Sequence, residues 1–246
     1  MTNILDDKTA IDQAAVILAP TGRLRAAINV GNPVMAQRAA DGSLSGVSVA
    51  MARLIASRLR VELDFVVFEA AGKATAAVAN HSWDVAFLAI DPARQAQIAF
   101  TQPYVLIETT YLVPVDSPFM TCAQVDAPGV TIGAARGAAY DLHLRRELKN
   151  ATMVNAETPA ESLLMFREGG CTVLAGVRQM LEGVAQQGRY RVLDDSIVQV
   201  RQAVAVPRQS EAALEWLGRL VDEALVSGLV SQALLDSGQG EARAAL

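Results

Sequence analysis

One arginine, Arg94, follows an apolar run in a way that points to anion binding. Val85–Ile90 is an unbroken apolar run of strand length, typical of a strand buried on both faces. Because Asp91 can cap a helix and Pro92 suits the first helical position, we expect Arg94 on the first turn beyond the carboxyl end of this strand. Ligands of open α/β sheets bind at that edge, and a guanidinium grips a carboxylate with two parallel hydrogen bonds. The alternative interpretation of Arg94 is a solvent-exposed helix residue that forms an ion pair.

The composition excludes several other functions. A chain of 246 residues with 52% hydrophobic and 19% charged residues can bury a core, and its net charge of -5, without a basic block, gives no reason to expect nucleic acid as a partner. The two histidines and two cysteines (Cys122 and Cys171) match no metal spacing, so we expect no metal and no cofactor. A disulfide between the cysteines stays open. No apolar stretch approaches the ~20 residues needed to cross a bilayer.

The first part of the chain alternates strands with helices. Strands are predicted at Leu24–Val30, Val61–Phe68 and Val85–Ile90, and helices after Gly46 and over Gly72–Ala79. Such alternation is typical of a parallel α/β sheet.

A second α/β series follows. Strands are predicted at Val130–Ala134 and Thr172–Ala175, and the helix after Gly137 is expected to turn Leu142 and Leu148 inward. Thr158–Glu161 is a capping box with Pro at the first helical position, a specific helix start.

Two extended segments, Glu108–Val115 and Gln199–Val206, are predicted to connect two lobes, an arrangement suited to hinge closure around a ligand. The fold class is therefore predicted as α/β, with two α/β lobes joined by two hinge strands; a single continuous domain is the alternative. The predicted boundaries are 20–112 plus 203–240 for lobe 1, 113–202 for lobe 2, and 1–19 for an N-terminal extension.

The order of these motifs resembles the bacterial solute-binding protein family 3, the type II periplasmic binding proteins of amino-acid uptake systems. The resemblance runs from about Gly22 to Ser237 and rests on Trp83–Ala86, on Arg94 followed by Ile98–Tyr104, and on the strand and glycine turn of Gly129–Gly137. The segment from Arg94 to Tyr104 is the most specific of these signals.

The resemblance implies a binding site. It implies that Arg94 clamps a ligand carboxylate and that the turn Gly137–Ala138–Ala139 offers backbone N–H groups at a helix start, which also favour an anion. Asn32 is either a ligand residue or a turn residue, and Tyr140 either packs on the ligand or belongs to the core. The predicted ligand-binding residues are Arg94, Asn32, Ala89, Ile90, Gly137, Ala138, Ala139, Tyr140 and Arg178.

This chain departs from the family at several ligand positions. Alanine or another small residue stands where the family has a hydroxyl, an aromatic or an acidic side chain, at Ala71, Ala89, Ala138 and Gly176 or Val177. Losing the acid that receives the amino group, with Arg178 beside it, favours a small organic acid or atypical carboxylate over a standard amino acid. If the ligand does carry an amino group, Glu69 and Glu108 are the acids to test.

The resemblance implies a non-enzymatic, monomeric binding protein that delivers a small carboxylate to the membrane permease of an ABC-type transporter. The alternatives are a cyclohexadienyl dehydratase-like enzyme on the same fold and a cytosolic ligand sensor. The resemblance implies a periplasmic location, whereas the acidic start of the chain lacks the basic region and apolar core of a secretory signal. Both compartments therefore stay open.

Overall fold

The computed structural model describes residues 7–245, which form a mixed α/β fold. Its strands, in chain order, are β1 (Arg23–Asn29), β2 (Gln37–Arg38), β3 (Leu44–Ser45), β4 (Glu62–Phe68), β5 (Val85–Ala89), β6 (Ile98–Pro114), β7 (Thr131–Ala135), β8 (Thr152–Ala156), β9 (Val173–Val177), β10 (Tyr190–Val192), β11 (Val198–Pro207) and β12 (Arg243–Ala244).

The α-helices pack beside these strands. In chain order they are α1 (Lys8–Leu18), α2 (Val47–Leu59), α3 (Ala71–Ala76), α4 (Cys122–Val125), α5 (Ala139–Glu147), α6 (Pro159–Arg167), α7 (Arg178–Ala185), α8 (Leu214–Val226) and α9 (Leu229–Asp236). Short 3₁₀ turns at Ala77–Asn80 and Arg208–Ala213 follow α3 and precede α8.

The chain divides into two compact units. Unit 1 contains the described residues up to Phe68, then Ala74–Leu106, and the chain from Arg201 onwards; unit 2 contains Glu69–Lys73 and Ile107–Val200. The long strand β6 therefore passes out of unit 1, and β11 returns to it.

In unit 1 the sheet order is β4-β1-β5-β11. β1 is parallel to both β4 and β5, whereas β11 runs antiparallel to β5. Every residue of β5 is buried, which explains the unbroken apolar run of that strand. The helix α2 begins after Gly46, where a side chain would clash: a Cβ there would lie 2.7 Å from the carbonyl oxygen of Met35.

In unit 2 the order is β6-β9-β7-β8, and β10 pairs antiparallel with Leu112–Pro114 of β6. β7 is parallel to β8 and to β9, while β6 is antiparallel to β9. Two apolar clusters form the core, one including Tyr111, Ile132 and Tyr140, the other including Phe166 and Leu181. Every residue of β9 is buried, which explains the apolar sequence of that strand.

Most predicted elements are confirmed to within two residues, including the capping box at Thr158, which opens α6 with both reciprocal hydrogen bonds. The expectation for Leu142 and Leu148 is met only in part: α5 buries Tyr140 and Leu144, Leu142 is half-buried, and Leu148 is half-buried against the cluster that contains Tyr140. The extended segment beginning at Glu108 proved to be the second part of the 17-residue strand β6.

Candidate functional site

Arg94 lies just beyond the carboxyl end of β5, on a turn rather than a helix. Oδ1 of Asp91 accepts the N–H of Ala93 at 2.9 Å, and the N–H of Arg94 donates to the Asp91 carbonyl at 3.0 Å. The N–H of Ile98 then donates to the Arg94 carbonyl at 3.0 Å and starts β6 directly. The helix predicted from Asp91 and Pro92 is therefore wrong, since these residues initiate a short turn, to which both are equally suited.

The guanidinium of Arg94 is buried in unit 1. The residue is 2% exposed, and its Nη1 donates to the carbonyl oxygen of Ala89 at 2.7 Å. Burial lowers the pKa of Arg94 to about 10, and the negative charge of Asp91 opposes that shift. The side chain is thus still a cation at neutral pH, held in a poorly hydrated position where an anion is bound more strongly than in water.

The other predicted residues of unit 1 bond within unit 1, Ala89 and Ile90 through their backbones and Asn32 through its side chain. Ala89 pairs with Gln202 across β5 and β11, and the N–H of Ile90 donates to the carbonyl of Arg201 at 2.9 Å. Asn32 forms an Asx turn, because its Oδ1 accepts the N–H of Val34 at 3.2 Å. The turn interpretation of Asn32 is therefore observed, and its role toward a ligand stays a prediction.

In unit 2, backbone N–H groups of the turn after β7 donate hydrogen bonds to other groups of the same unit. Gly137 has a φ of +70°, which favours glycine, and its N–H donates to Oδ2 of Asp141 at 2.8 Å. The N–H of Ala138 donates to the Ala135 carbonyl at 3.1 Å. Both of these N–H groups are therefore engaged within unit 2.

Tyr140 belongs to the core of unit 2, the second of the two interpretations given to it. Its side chain is 5% exposed within the cluster that contains Ile132 and Leu144. Burial raises the pKa of its hydroxyl, so Tyr140 is neutral over the physiological range.

Arg178, the first residue of α7, is engaged by several acceptors within unit 2. Its Nε donates to Oε2 of Glu108 at 3.1 Å, and its Nη1 donates to the Leu193 carbonyl at 3.2 Å. Its Nη2 donates to the carbonyls of Asp194 and Asp195, each at 3.0 Å. The Arg178 side chain is 17% exposed, so it mainly fixes the loop before β11.

Two carboxylates of unit 2 that bond to predicted ligand residues were not themselves among those predictions. Asp141 is 1% exposed and accepts hydrogen bonds from Gly137, Arg145 and Asn155. Its position four residues after Gly137, in the first turn of a helix, is the sequence signal that was available. Glu108 had been considered only as a receiver of an amino group, and it pairs with Arg178 instead.

The remaining chemistry of the described residues is limited. Within residues 7–245 no cluster of three or more His, Cys, Asp or Glu side chains is arranged to hold a metal ion. Both cysteines are free thiols, so the open question of a disulfide is answered in this structure. Over the same residues, none of the helices has the length and apolarity to cross a membrane.

Comparison with known proteins agrees with this architecture. AbpA from Streptococcus pneumoniae, an amino acid ABC transporter substrate-binding protein bound to L-arginine, is 18% identical with a TM-score of 0.78, covering 91% of this chain and 97% of that one. The solute receptor for L-cysteine of Neisseria gonorrhoeae is 19% identical with a TM-score of 0.78, covering 91% and 92%. An ancestral amino acid-binding protein, AncCDT-1, a precursor of cyclohexadienyl dehydratase, is 17% identical with a TM-score of 0.75, covering 92% and 98%.

At such identities these structures show the fold, and the predicted class, α/β of the type II periplasmic binding proteins, is confirmed. No curated protein matches the chain. The model of the bacterial extracellular solute-binding proteins, family 3, matches residues 24–232, which is most of the sequence. The chain therefore belongs to the bacterial extracellular solute-binding proteins of family 3.

Proposed function

We propose that this protein captures a small carboxylate, an amino acid or an organic acid, and that Arg94 binds the carboxylate group. The observation that carries the proposal is the position of Arg94: a buried cation on the first turn beyond the carboxyl end of a fully buried strand. That edge is the ligand-binding edge of open α/β sheets.

The geometry around Arg94 supports this role. Its Nη1 is oriented by the Ala89 carbonyl, which limits the rotamers of the long side chain before any ligand arrives. A preordered guanidinium loses less side-chain entropy on binding, and burial weakens the competition from water. Both effects favour a bidentate carboxylate contact.

Membership of the family supports delivery of the solute to the membrane permease of an ABC-type uptake system. Among the similar structures, AbpA is bound to L-arginine and the receptor of Neisseria gonorrhoeae is described for L-cysteine, which favours amino acids and their relatives as the solute class. The family's description as extracellular favours a periplasmic or exported location. A cytosolic ligand sensor is the alternative for the same binding chemistry.

The likeness to AncCDT-1 makes a dehydratase-type enzyme the second candidate. An enzyme of that kind needs a general acid or base that reaches its substrate. The carboxylates of Glu108, Asp141 and Glu157 in unit 2 are each paired with an arginine, which disfavours that role. Binding without chemistry is therefore the function that we propose.

The test is a thermal-shift screen of the purified chain against amino acids, oxo acids, dicarboxylates and aromatic acids. A ligand at a hundred times its dissociation constant adds ~2.7 kcal/mol to the free energy of unfolding, a readily measured shift. The hit is then titrated against Arg94→Met, which keeps the volume without the charge, and Arg94→Lys, which keeps the charge without the planar fork. Arg53→Met, at an exposed arginine of α2, serves as the matched control.

We expect Arg94→Met to abolish binding and Arg94→Lys to weaken it by at least about 10-fold, because a single ammonium cannot replace the bidentate contact. Circular dichroism checks that each variant is folded. Unchanged affinity in a folded Arg94→Met protein removes Arg94 from the site. Turnover of a cyclohexadienyl substrate by the wild-type protein would favour the enzyme.

A further inference from the structure

A cavity within unit 1 lies between α1 and the start of α8. It has a volume of about 650 Å³, and it is lined by residues of α1, of the 3₁₀ turn that precedes α8 and of α8 itself. None of the residues predicted to bind the solute lines it. Because α1 also precedes residues 24–232, one wall of the cavity lies outside the part of the chain that the family model matches.

The helix α1 is anchored to the rest of unit 1. Its buried residues, Ile11, Ala14 and Leu18, are spaced by three and four positions and are at most 5% exposed, so they form one face of the helix. Asp7 caps the first turn, since its Oδ1 accepts the N–H of Thr9 at 2.9 Å. The wall that α1 provides is therefore a packed part of the fold.

The lining of this cavity is mainly apolar. Ala10, Ala14 and Ile17 of α1 contribute to one side, and Ala213 and Trp216 contribute to the other. Concave apolar sites of about 300–1,000 Å³ with a few polar groups are typical of small-molecule binding. The indole ring of Trp216 also offers a surface on which an aromatic ring packs favourably.

Trp216 supplies a hydrogen-bond donor without an acceptor. The residue is 4% exposed, and within residues 7–245 its indole N–H has no hydrogen-bond partner. The other tryptophan of the chain, Trp83, is similarly buried, and its N–H donates to the Ala74 carbonyl at 2.9 Å. A buried donor that lacks an acceptor costs about 1–3 kcal/mol, so an acceptor that reaches the Trp216 N–H is bound favourably.

The charges at the cavity bear on which molecule it accepts. Asp12 pairs with Lys8 at 2.6 Å, whereas the exposed carboxylate of Glu215 forms no ion pair with the part of the chain that the structure describes. Among the described residues that line the cavity, none is a lysine or an arginine. The remaining charge is therefore negative, which disfavours a carboxylate as the occupant.

We propose that this cavity binds a neutral aromatic molecule with an oxygen acceptor, and that the oxygen accepts a hydrogen bond from the indole N–H of Trp216. Burial of the aromatic ring against the apolar lining supplies affinity, and the N–H selects molecules that carry an acceptor. The cavity differs from the strand end at Arg94 in position, charge and ligand class, so its occupancy is independent of the proposed function.

Matched probes test the hydrogen bond. Acetophenone and ethylbenzene are similar in size, but only acetophenone has a carbonyl acceptor, and benzoate adds a negative charge. Each probe is titrated into isotope-labelled protein, and the indole N–H resonances of both tryptophans are followed by NMR. The resonance that is missing from Trp216→Phe belongs to Trp216, and Trp83 is the internal reference because its N–H already has an acceptor.

We expect acetophenone to bind at least about 5-fold more tightly than ethylbenzene, because one hydrogen bond to a buried donor is gained. Acetophenone should move the Trp216 resonance downfield and leave that of Trp83 in place. Benzoate should bind more weakly than acetophenone.

Two variants separate the hydrogen bond from the space. Trp216→Phe keeps an aromatic ring without the N–H, so the preference for acetophenone over ethylbenzene should disappear. Ala10→Leu fills part of the cavity and should weaken both probes by at least about 10-fold. Ala15→Leu, at another half-buried alanine of α1 that is outside the lining, is its control. Circular dichroism checks that the variants are folded.

Equal affinity of the wild-type protein for acetophenone and ethylbenzene overturns the assignment of the N–H, as does a Trp216 resonance that stays in place. If neither probe binds at millimolar concentration, the cavity is not a site for this class of molecule, and water is the partner of the N–H. A concentration-dependent dimer that disappears in Ala10→Leu would also overturn the assignment, because a second copy of the chain then occupies the cavity.

Discussion

The N–H of Gly137 donates to Oδ2 of Asp141 at 2.8 Å, so the glycine turn after β7 is capped by a carboxylate of its own helix. The turn before α5, which resembles an anion site, thus already has an anion on the N–H of Gly137. An acid in the first turn is also favoured by the helix dipole. A ligand carboxylate at this turn would meet the negative charge of Asp141, which leaves Arg94 as the stronger anion receptor of the predicted set.

Replacing Asp141 should destabilise the protein. Asp141→Ala removes an acceptor of the Gly137 N–H and of the Asn155 amide at a site that is 1% exposed, and we expect a loss of about 3 kcal/mol in the free energy of unfolding. Asp141→Asn keeps an acceptor oxygen and should lose less. Urea unfolding followed by circular dichroism measures both, and exposed Glu147→Ala on the same helix is the control. Equal stability of Asp141→Ala and the control would contradict the network.

Gly72 should not tolerate a side chain. A Cβ on Gly72 would lie 2.3 Å from the carbonyl oxygen of Arg136, so Gly72→Ala forces the backbone of the 69–73 segment away from the turn. We expect a loss of at least about 2 kcal/mol, a typical cost of overpacking.

Gly183 provides a matched glycine for this measurement. It is exposed in α7, and a Cβ there meets nothing within 4 Å. Gly183→Ala should raise the free energy of unfolding by about 0.5–1 kcal/mol, because alanine loses less backbone entropy in a helix. Similar melting temperatures for the two alanine variants would show that the backbone of the 69–73 segment can shift without lowering the stability of the protein.

The capping box of α6 should contribute measurably. Oγ1 of Thr158 accepts the N–H of Glu161 at 3.2 Å, and Oε2 of Glu161 accepts the N–H of Thr158 at 3.1 Å. Thr158→Ala should lower the free energy of unfolding by about 1 kcal/mol, and Thr158→Ser should largely retain it. Chemical denaturation compares the two, and a loss as large for serine as for alanine would point to the lost methyl group instead of the hydrogen bond.

The two thiols should make the protein less stable at alkaline pH. Burial raises the pKa of Cys122 to about 12 and that of Cys171 to about 11. In the unfolded chain both thiols ionise near pH 9, so the unfolded state binds fewer protons above that pH and the free energy of unfolding falls as the pH rises.

Denaturation midpoints between pH 8 and pH 11 test this expectation, which assigns part of the decline to Cys122 and Cys171. The variant Cys122→Ala/Cys171→Ala should lose less stability over that interval than the wild-type protein. At pH 8 the native thiols should also react with a disulfide reagent more slowly than those of the denatured chain, because the thiolate is the reactive form. Identical pH slopes would show that other groups cause the alkaline decline.

The strands, the helix starts and the family could be predicted because their signals are local. β5 is recognisable from the unbroken apolar run Val85–Ile90, and α6 from the Thr158–Glu161 spacing, since both patterns depend on neighbours in the chain. The turn at Asp91 was mistaken for a helix start because Asp and Pro favour both structures. No helical spacing of apolar residues follows Pro92, and that was the sequence signal against a helix.

By itself, the sequence determined the order of elements, the α/β class and the position of Arg94 after a buried strand. Only the tertiary structure decided which polar and charged side chains bond to one another. Arg178 meets Glu108, which is 70 residues away, and Asp141 meets Asn155, which is 14 residues away, so neither pairing has a local signal. Arginine and carboxylate side chains pair with whichever opposite charge the packed strands and loops bring within reach, and that choice depends on the folded chain.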